Sequence, residues 1–145
     1  MINYDELAHE LLCHLCHTSK LKFQRSTEDY THGEMKILTL LCENDTGISP
    51  GYICNSLGMT TPRISAALAS LEKKEFITRE TDAVDKRRLH IHITGTGRAL
   101  VSEKKDELAH ALSQMLRSLG EHDAAEHVRI MGRIRENAEM STSAQ

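Results

Sequence analysis

Two groups of side chains in this sequence have types and spacing that could do chemistry. The first is the run Asp82-Ala83-Val84-Asp85-Lys86-Arg87-Arg88, which passes directly into Leu89-His90-Ile91-His92-Ile93-Thr94. Three consecutive cations at the foot of an alternating stretch suit a polyanion, because each phosphate they neutralise releases counterions. The second group is His9, Cys13, Cys16 and His17. On a helix at about 100° per residue these four fall within an arc of about 100°. His9/Cys13 and Cys13/His17 are spaced i, i+4, near enough to share a ligand. Two thiolates and two imidazoles form a soft-metal set for zinc or copper. Four ligands on one helix cannot close a tetrahedron, so His32, His110 or a second subunit would have to complete it. Read as redox chemistry, Cys13 is the reactive thiol and Cys16 its resolving partner, with His14 or His17 assisting. Read as packing, both cysteines sit at a seam between subunits and the histidines are half-exposed.

The elements that must position these residues are mostly helical. Residues 5–22 repeat Leu7, Leu11 and Leu15 at i+4, with Ala8 and Leu12 alongside. A polar connection follows at 25–30. Thr31 and Glu34 have the spacing of a capping box and open a helix whose inward face is Met35, Leu38, Leu41 and Cys42. Ser49-Pro50 and Thr61-Pro62 are each an N-cap followed by proline at the first helical position. They predict a short helix with Ile53, Cys54 and Leu57 inward, a turn at Gly58, and a helix over 61–74 with Ile64, Ala67, Leu68 and Leu71 inward. Residues 76–79 and 89–93 then form a hairpin, with Leu89, Ile91 and Ile93 on one face and His90 and His92 on the other. Thr94 caps a long helix to about residue 119 carrying Ala99, Leu100, Leu108, Leu112, Met115 and Leu116. Gly120 interrupts, a last helix covers 122–137, and 141–145 fray.

Composition narrows the function. The chain has 145 residues, 39% hydrophobic but only 3% aromatic, so its core must rest on Leu, Ile, Val, Met and Ala. No segment is apolar enough to span a membrane, and the acidic start lacks the basic region of a secretory signal, so the expected location is the cytoplasm. Four cysteines in that compartment are read as thiols, with Cys42 and Cys54 acting as small hydrophobes. The net charge is −3, unevenly spread: residues 47–98 carry +3 and the flanks −6. A basic centre between acidic flanks fits a local nucleic-acid footprint. There is no glycine-rich phosphate loop, nucleophile elbow or paired carboxylates, so an enzyme is not expected.

Two short helices about Gly58 have helix-turn-helix proportions. In that geometry the second helix enters the major groove with its N-terminal residues nearest the bases. Ser49, Thr60, Thr61, Pro62, Arg63, Ser65 and Ala66 would face DNA, with Asp85, Lys86, Arg87 and Arg88 at the wing. A helix so poor in Asn, Gln and Arg reads few bases, which leaves much of the specificity to DNA shape.

The segments Ile48-Ser49 to Met59, Leu71 to Arg79, Asp82-x-x-Asp85-x-Arg87 and Ile93-Thr94-x-x-Gly97 resemble the MarR family of winged-helix transcriptional regulators. The resemblance implies a mainly α fold with a small β-hairpin: a winged helix-turn-helix over 31–98, dimerisation helices in 1–30 and 99–140, and a short tail. It implies a homodimeric regulator, released by a small effector or by thiol or metal chemistry, on a pseudo-palindromic operator in double-stranded DNA. It also implies that Arg87 enters the minor groove with Asp85 orienting its guanidinium. Cys13 lies roughly where the hydroperoxide-sensing branch carries its reactive cysteine, although Met35 replaces a supporting tyrosine. Glu75 stands where the family usually has glycine. The alternative is a winged-helix protein-interaction module without DNA binding.

Overall fold

The computed structural model describes residues 1–18 and 32–143. The elements are α1 (Tyr4–Thr18), α2 (Gly33–Cys42), α3 (Pro50–Leu57), α4 (Thr61–Lys73), β1 (Ile77–Thr81), β2 (Leu89–Ile93), α5 (Gly95–Leu119) and α6 (Glu121–Ser143). They fall into two compact units, Met1–Leu108 and Ala109–Gln145. The connection expected at 25–30 and the capping residue Thr31 lie outside the described residues. The N-cap of α2 is His32, without a side-chain cap bond. The last helix runs to Ser143 rather than to 137, so residues 141–143 are helical where fraying was expected.

The core of the first unit is aliphatic. Ile37, Leu38, Leu41, Ile53, Ile64, Leu68, Leu71, Ile77 and Ile91 are fully buried, joined by Ile48 and Val101. Each such side chain contributes roughly 1.5–3 kcal/mol. Ile37 and Val101 were missing from the expected inward faces; Met35, Cys42, Cys54 and Leu57 pack partly buried around the core, and Ala99 is exposed. In contrast, α1 buries no residue and neither does any described residue of α6. Leu7, Leu11, Leu12 and Leu15 on α1, and Val128, Ile130, Met131 and Ile134 on α6, are exposed.

β1 and β2 pair antiparallel with Ile77 opposite Ile93, Arg79 opposite Ile91 and Glu80 opposite His90. Ile48 adds a single-residue bridge to β2, exchanging both backbone bonds with Ile91 at 3.1 and 2.8 Å. That bridge ties the start of the helix-turn-helix to the hairpin. Gly58 caps α3 in the left-handed region at φ 61°.

The end of α4 is a Schellman turn: Phe76 N–H donates to Leu71 O at 3.0 Å and Glu75 N–H to Glu72 O at 2.9 Å. Glu75 occupies its left-handed position with φ 62°, the one non-glycine residue with positive φ among those described. This conformation costs an L-residue roughly 1–2 kcal/mol, whereas glycine gives back roughly 0.5–1 kcal/mol in chain entropy. Glu75→Gly is therefore expected to stabilise the fold by about 0.5–1 kcal/mol. A thermal midpoint raised by about 2–4 °C would check this.

Candidate nucleic-acid interface

The first turn of α4 is presented to solvent. Its N-cap Thr60 takes extended backbone (φ −70°, ψ 150°) and makes no side-chain cap bond. Thr60, Thr61, Pro62, Arg63, Ser65 and Ala66 are all exposed, while Ile64, Leu68 and Leu71 hold the opposite face in the core. Arg79 Nε meets Glu72 Oε2 at 3.0 Å, bracing the hairpin against α4. Lys74 Nζ meets Glu34 Oε2 at 2.7 Å, bracing α4 against α2. Ser49 is committed locally: its Oγ accepts the Tyr52 N–H at 3.1 Å as the N-cap of α3.

The wing tip is built on two carboxylates. Asp82 Oδ1 accepts from Val84 N–H at 2.8 Å and Asp85 N–H at 3.0 Å, and Asp82 Oδ2 meets His90 Nε2 at 3.1 Å. The backbone N–H groups of Asp85 and Val84, and then His90, hold the Asp82 carboxyl down at about 2. Asp82 N–H donates to Arg88 O and Arg88 N–H to Asp85 O, both at 2.9 Å. Asp85 Oδ1 accepts the backbone N–H of Arg87 at 3.0 Å, and its Oδ2 lies 3.8 Å from Arg88 Nε. The carboxylate thus sets Arg87 through its main chain and pairs with the neighbouring arginine, not with the Arg87 guanidinium as expected. Lys86, Arg87 and Arg88 are exposed. Among the described residues no carboxylate pairs with the Lys86 ammonium or the Arg87 guanidinium.

Between the wing and the start of α3 runs a groove of about 620 Å³. Ser49, Pro50 and Tyr52 line one side and Arg87, Arg88 and His90 the other. Tyr52 and His90 were not among the expected site residues. The alternation of β2 put His90 on the outer face, but nothing local to Tyr52 announces that Ile48 would pin α3 against the hairpin.

The α1 group is arranged differently from a metal centre. His9 Nδ1 lies 2.7 Å from Asp5 O and His17 Nδ1 2.7 Å from Cys13 O, so each of these ring nitrogens donates to the helix backbone. Cys13 Sγ lies 3.7 Å from His17 Nδ1. Cys13 and Cys16 are exposed thiols; Cys42 and Cys54 are half-buried, and burial raises the Cys42 thiol above its ordinary value. Among the described residues, no three His, Cys, Asp or Glu side chains gather as a metal would require. No helix among them is long and apolar enough to cross a membrane.

A helix-turn-helix followed by a two-stranded wing defines a winged-helix protein. The sequence model of the MarR family matches residues 29–88, from before α2 to the wing tip. A mutant of S. aureus MepR bound to an oligodeoxyribonucleotide is 26% identical, with 100% of each chain covered and a TM-score of 0.61. S. aureus MepR bound to ethidium bromide is 26% identical, covering 99% of this chain and 98% of that one at a TM-score of 0.55. The YusO protein of Bacillus subtilis shares the fold at a TM-score of 0.74 and 16% identity, over 93% of this chain and 99% of the other. A search of curated proteins finds no match.

Proposed function

We propose that this protein is a homodimeric repressor that binds a pseudo-palindromic operator and is released by a small ligand or by thiol or metal chemistry. The carrying observation is the exposed first turn of α4 beside a rigid wing that displays Lys86, Arg87 and Arg88. In this reading Thr60, Thr61, Pro62, Arg63, Ser65 and Ala66 lie in the major groove. Arg87 enters the adjacent minor groove, Lys86 and Arg88 take phosphates, Ser49 caps the helix that faces the backbone, and Asp85 holds the tip.

Dimerisation through 1–30 and 99–140 is supported by the apolar residues that α1 and α6 leave uncovered. A second copy is the simplest cover, and its two-fold axis would place two reading helices one helical turn of DNA apart. Release by a small ligand is supported by the relative seen with ethidium bromide, and thiol release by the exposure of Cys13 and Cys16.

Sedimentation of the purified chain should give a species of twice the chain mass. The dimer should bind random duplex DNA at low salt and lose that binding steeply as salt rises. A monomer, or a dimer indifferent to duplex DNA, would refute the reading and leave a protein-interaction module. Intact mass and metal content of anaerobically purified protein, before and after peroxide, should show oxidation at Cys13 or Cys16 for thiol release. Bound zinc or copper would mark metal release, and neither result would leave a small ligand.

A further inference from the structure

We propose that His90 is a proton-gated phosphate contact of the wing: neutral, it is only a strut to Asp82; protonated, it adds a third cation beside Arg87 and Arg88. This rests on the DNA-binding reading above and goes beyond it by giving that surface a pH response.

The geometry assigns the two ring nitrogens different tasks. Nε2 lies 3.1 Å from Asp82 Oδ2 and in the neutral ring donates its proton there. Nδ1 has no partner among the described residues, and His90 lines the groove shared by Arg87, Arg88 and Tyr52. Protonation places a donor on Nδ1 without disturbing the bond that fixes the ring. Histidine is the side chain whose charge ordinarily changes between about pH 5 and 8.

The groups that face this imidazole favour such a switch. Asp82 stays a carboxylate across that whole range, because the backbone N–H groups of Asp85 and Val84 hold its carboxyl at about 2. Glu80 stands opposite His90 in the β1 register. Arg87 and Arg88 line the same groove. A phosphate seated there would attract an imidazolium more than a neutral ring, so bound DNA favours the charged form. By linkage, a proton taken up on binding makes affinity rise as pH falls. Tyr52, from α3, is the remaining titratable group across the groove.

His92 supplies an internal control. It alternates onto the same face but meets Glu80 Oε2 at 3.1 Å, and its ring covers Gly47 so closely that a Cβ there would collide with it. It does not line the groove.

The test is fluorescence anisotropy of the full chain on a labelled random-sequence duplex, from about pH 6 to about pH 8 at fixed ionic strength. Wild-type affinity should increase roughly fivefold on going to the acid end. His90→Gln retains a neutral donor for Asp82 but cannot take up the proton, so the acid gain should disappear. His90→Asn, checked for fold by circular dichroism, should behave alike, and His92→Gln should keep the gain. A wild type without the gain, or a His90→Gln variant that keeps it, overturns the proposal while Arg87-dependent binding persists. No binding at any pH, with Arg87→Ala indistinguishable from wild type, would instead remove the regulator reading and this proposal with it.

Discussion

Arg87→Ala is expected to weaken binding to duplex DNA by about 1–3 kcal/mol per wing, roughly fivefold to 150-fold, and to lower the salt slope by about one for each wing. The structure makes this a clean substitution. The tip is closed by backbone bonds among Asp82, Asp85 and Arg88, and Arg87 contributes only its N–H, which alanine retains. Its guanidinium is exposed, so removing it opens no cavity and orphans no carboxylate. Stability should therefore stay within about 0.5 kcal/mol, the usual range at surface positions. Arg88 differs, because part of its charge is spent on Asp85 at 3.8 Å. Arg88→Ala should cost less affinity than Arg87→Ala. Arg87→Lys separates charge from shape: the ammonium keeps the electrostatic attraction but loses the planar fork that narrow minor grooves favour. It should restore the salt slope but not the full affinity. Anisotropy titrations across a salt series read both quantities. An Arg87→Ala protein with wild-type affinity and slope would mean that the wing does not touch DNA.

The parts of this design that could be read from sequence are those governed by local periodicity and caps. Proline after Ser49 marked one helix start with its cap, and alternation in Leu89 to Ile93 gave the strand; at the other start the N-cap is Thr60 and not Thr61, so the helix begins one residue before Pro62. Thr94 does cap α5: its Oγ1 accepts from Gly97 N–H at 3.1 Å. What escaped depends on distant neighbours. Ile37 and Val101 are inward because other elements of the lobe cover them, which a helix wheel drawn one element at a time does not supply. The Ile48–Ile91 bridge joins residues far apart in the chain, and it brings Tyr52 to the groove. Asp85 does sit in the tip, as its spacing from Asp82 and Arg87 predicts. Its bond to the Arg87 main chain, with the carboxylate turned toward Arg88, follows from the turn's own hydrogen bonding and not from spacing alone. For α1, spacing did bring His9, Cys13, Cys16 and His17 to one arc, but the helix carbonyls of Asp5 and Cys13 take the Nδ1 donors of both histidines.

Gly97→Ala should be the most damaging single-methyl change in the winged-helix lobe. Gly97 is buried in the first turn of α5, where helix propensity alone would favour alanine by about 1 kcal/mol. The surroundings reverse that sign. A Cβ at this position would sit inside 3.0 Å of both Phe76 O and Ile93 Cγ1. The carbonyl cannot move aside freely, because it accepts the Thr94 N–H at 3.0 Å. Thr94 Oγ1 in turn donates to Glu75 O at 2.7 Å. The same few atoms therefore end α4, start β1 and launch α5. Relieving the clash means pushing α5 away from Phe76 or breaking this junction, either of which disturbs Ile77 and Ile91 in the core. Overpacking of this kind costs about 1–3 kcal/mol, and the lost backbone bond adds about 1 kcal/mol. After subtracting the propensity gain, a net loss of about 2 kcal/mol is expected, a fall in thermal midpoint of about 4–8 °C. DNA affinity should fall with it, because the wing and α4 share this anchor. If calorimetry instead shows Gly97→Ala as stable as wild type, α5 does not approach the base of the wing as closely as Phe76 and Ile93 indicate.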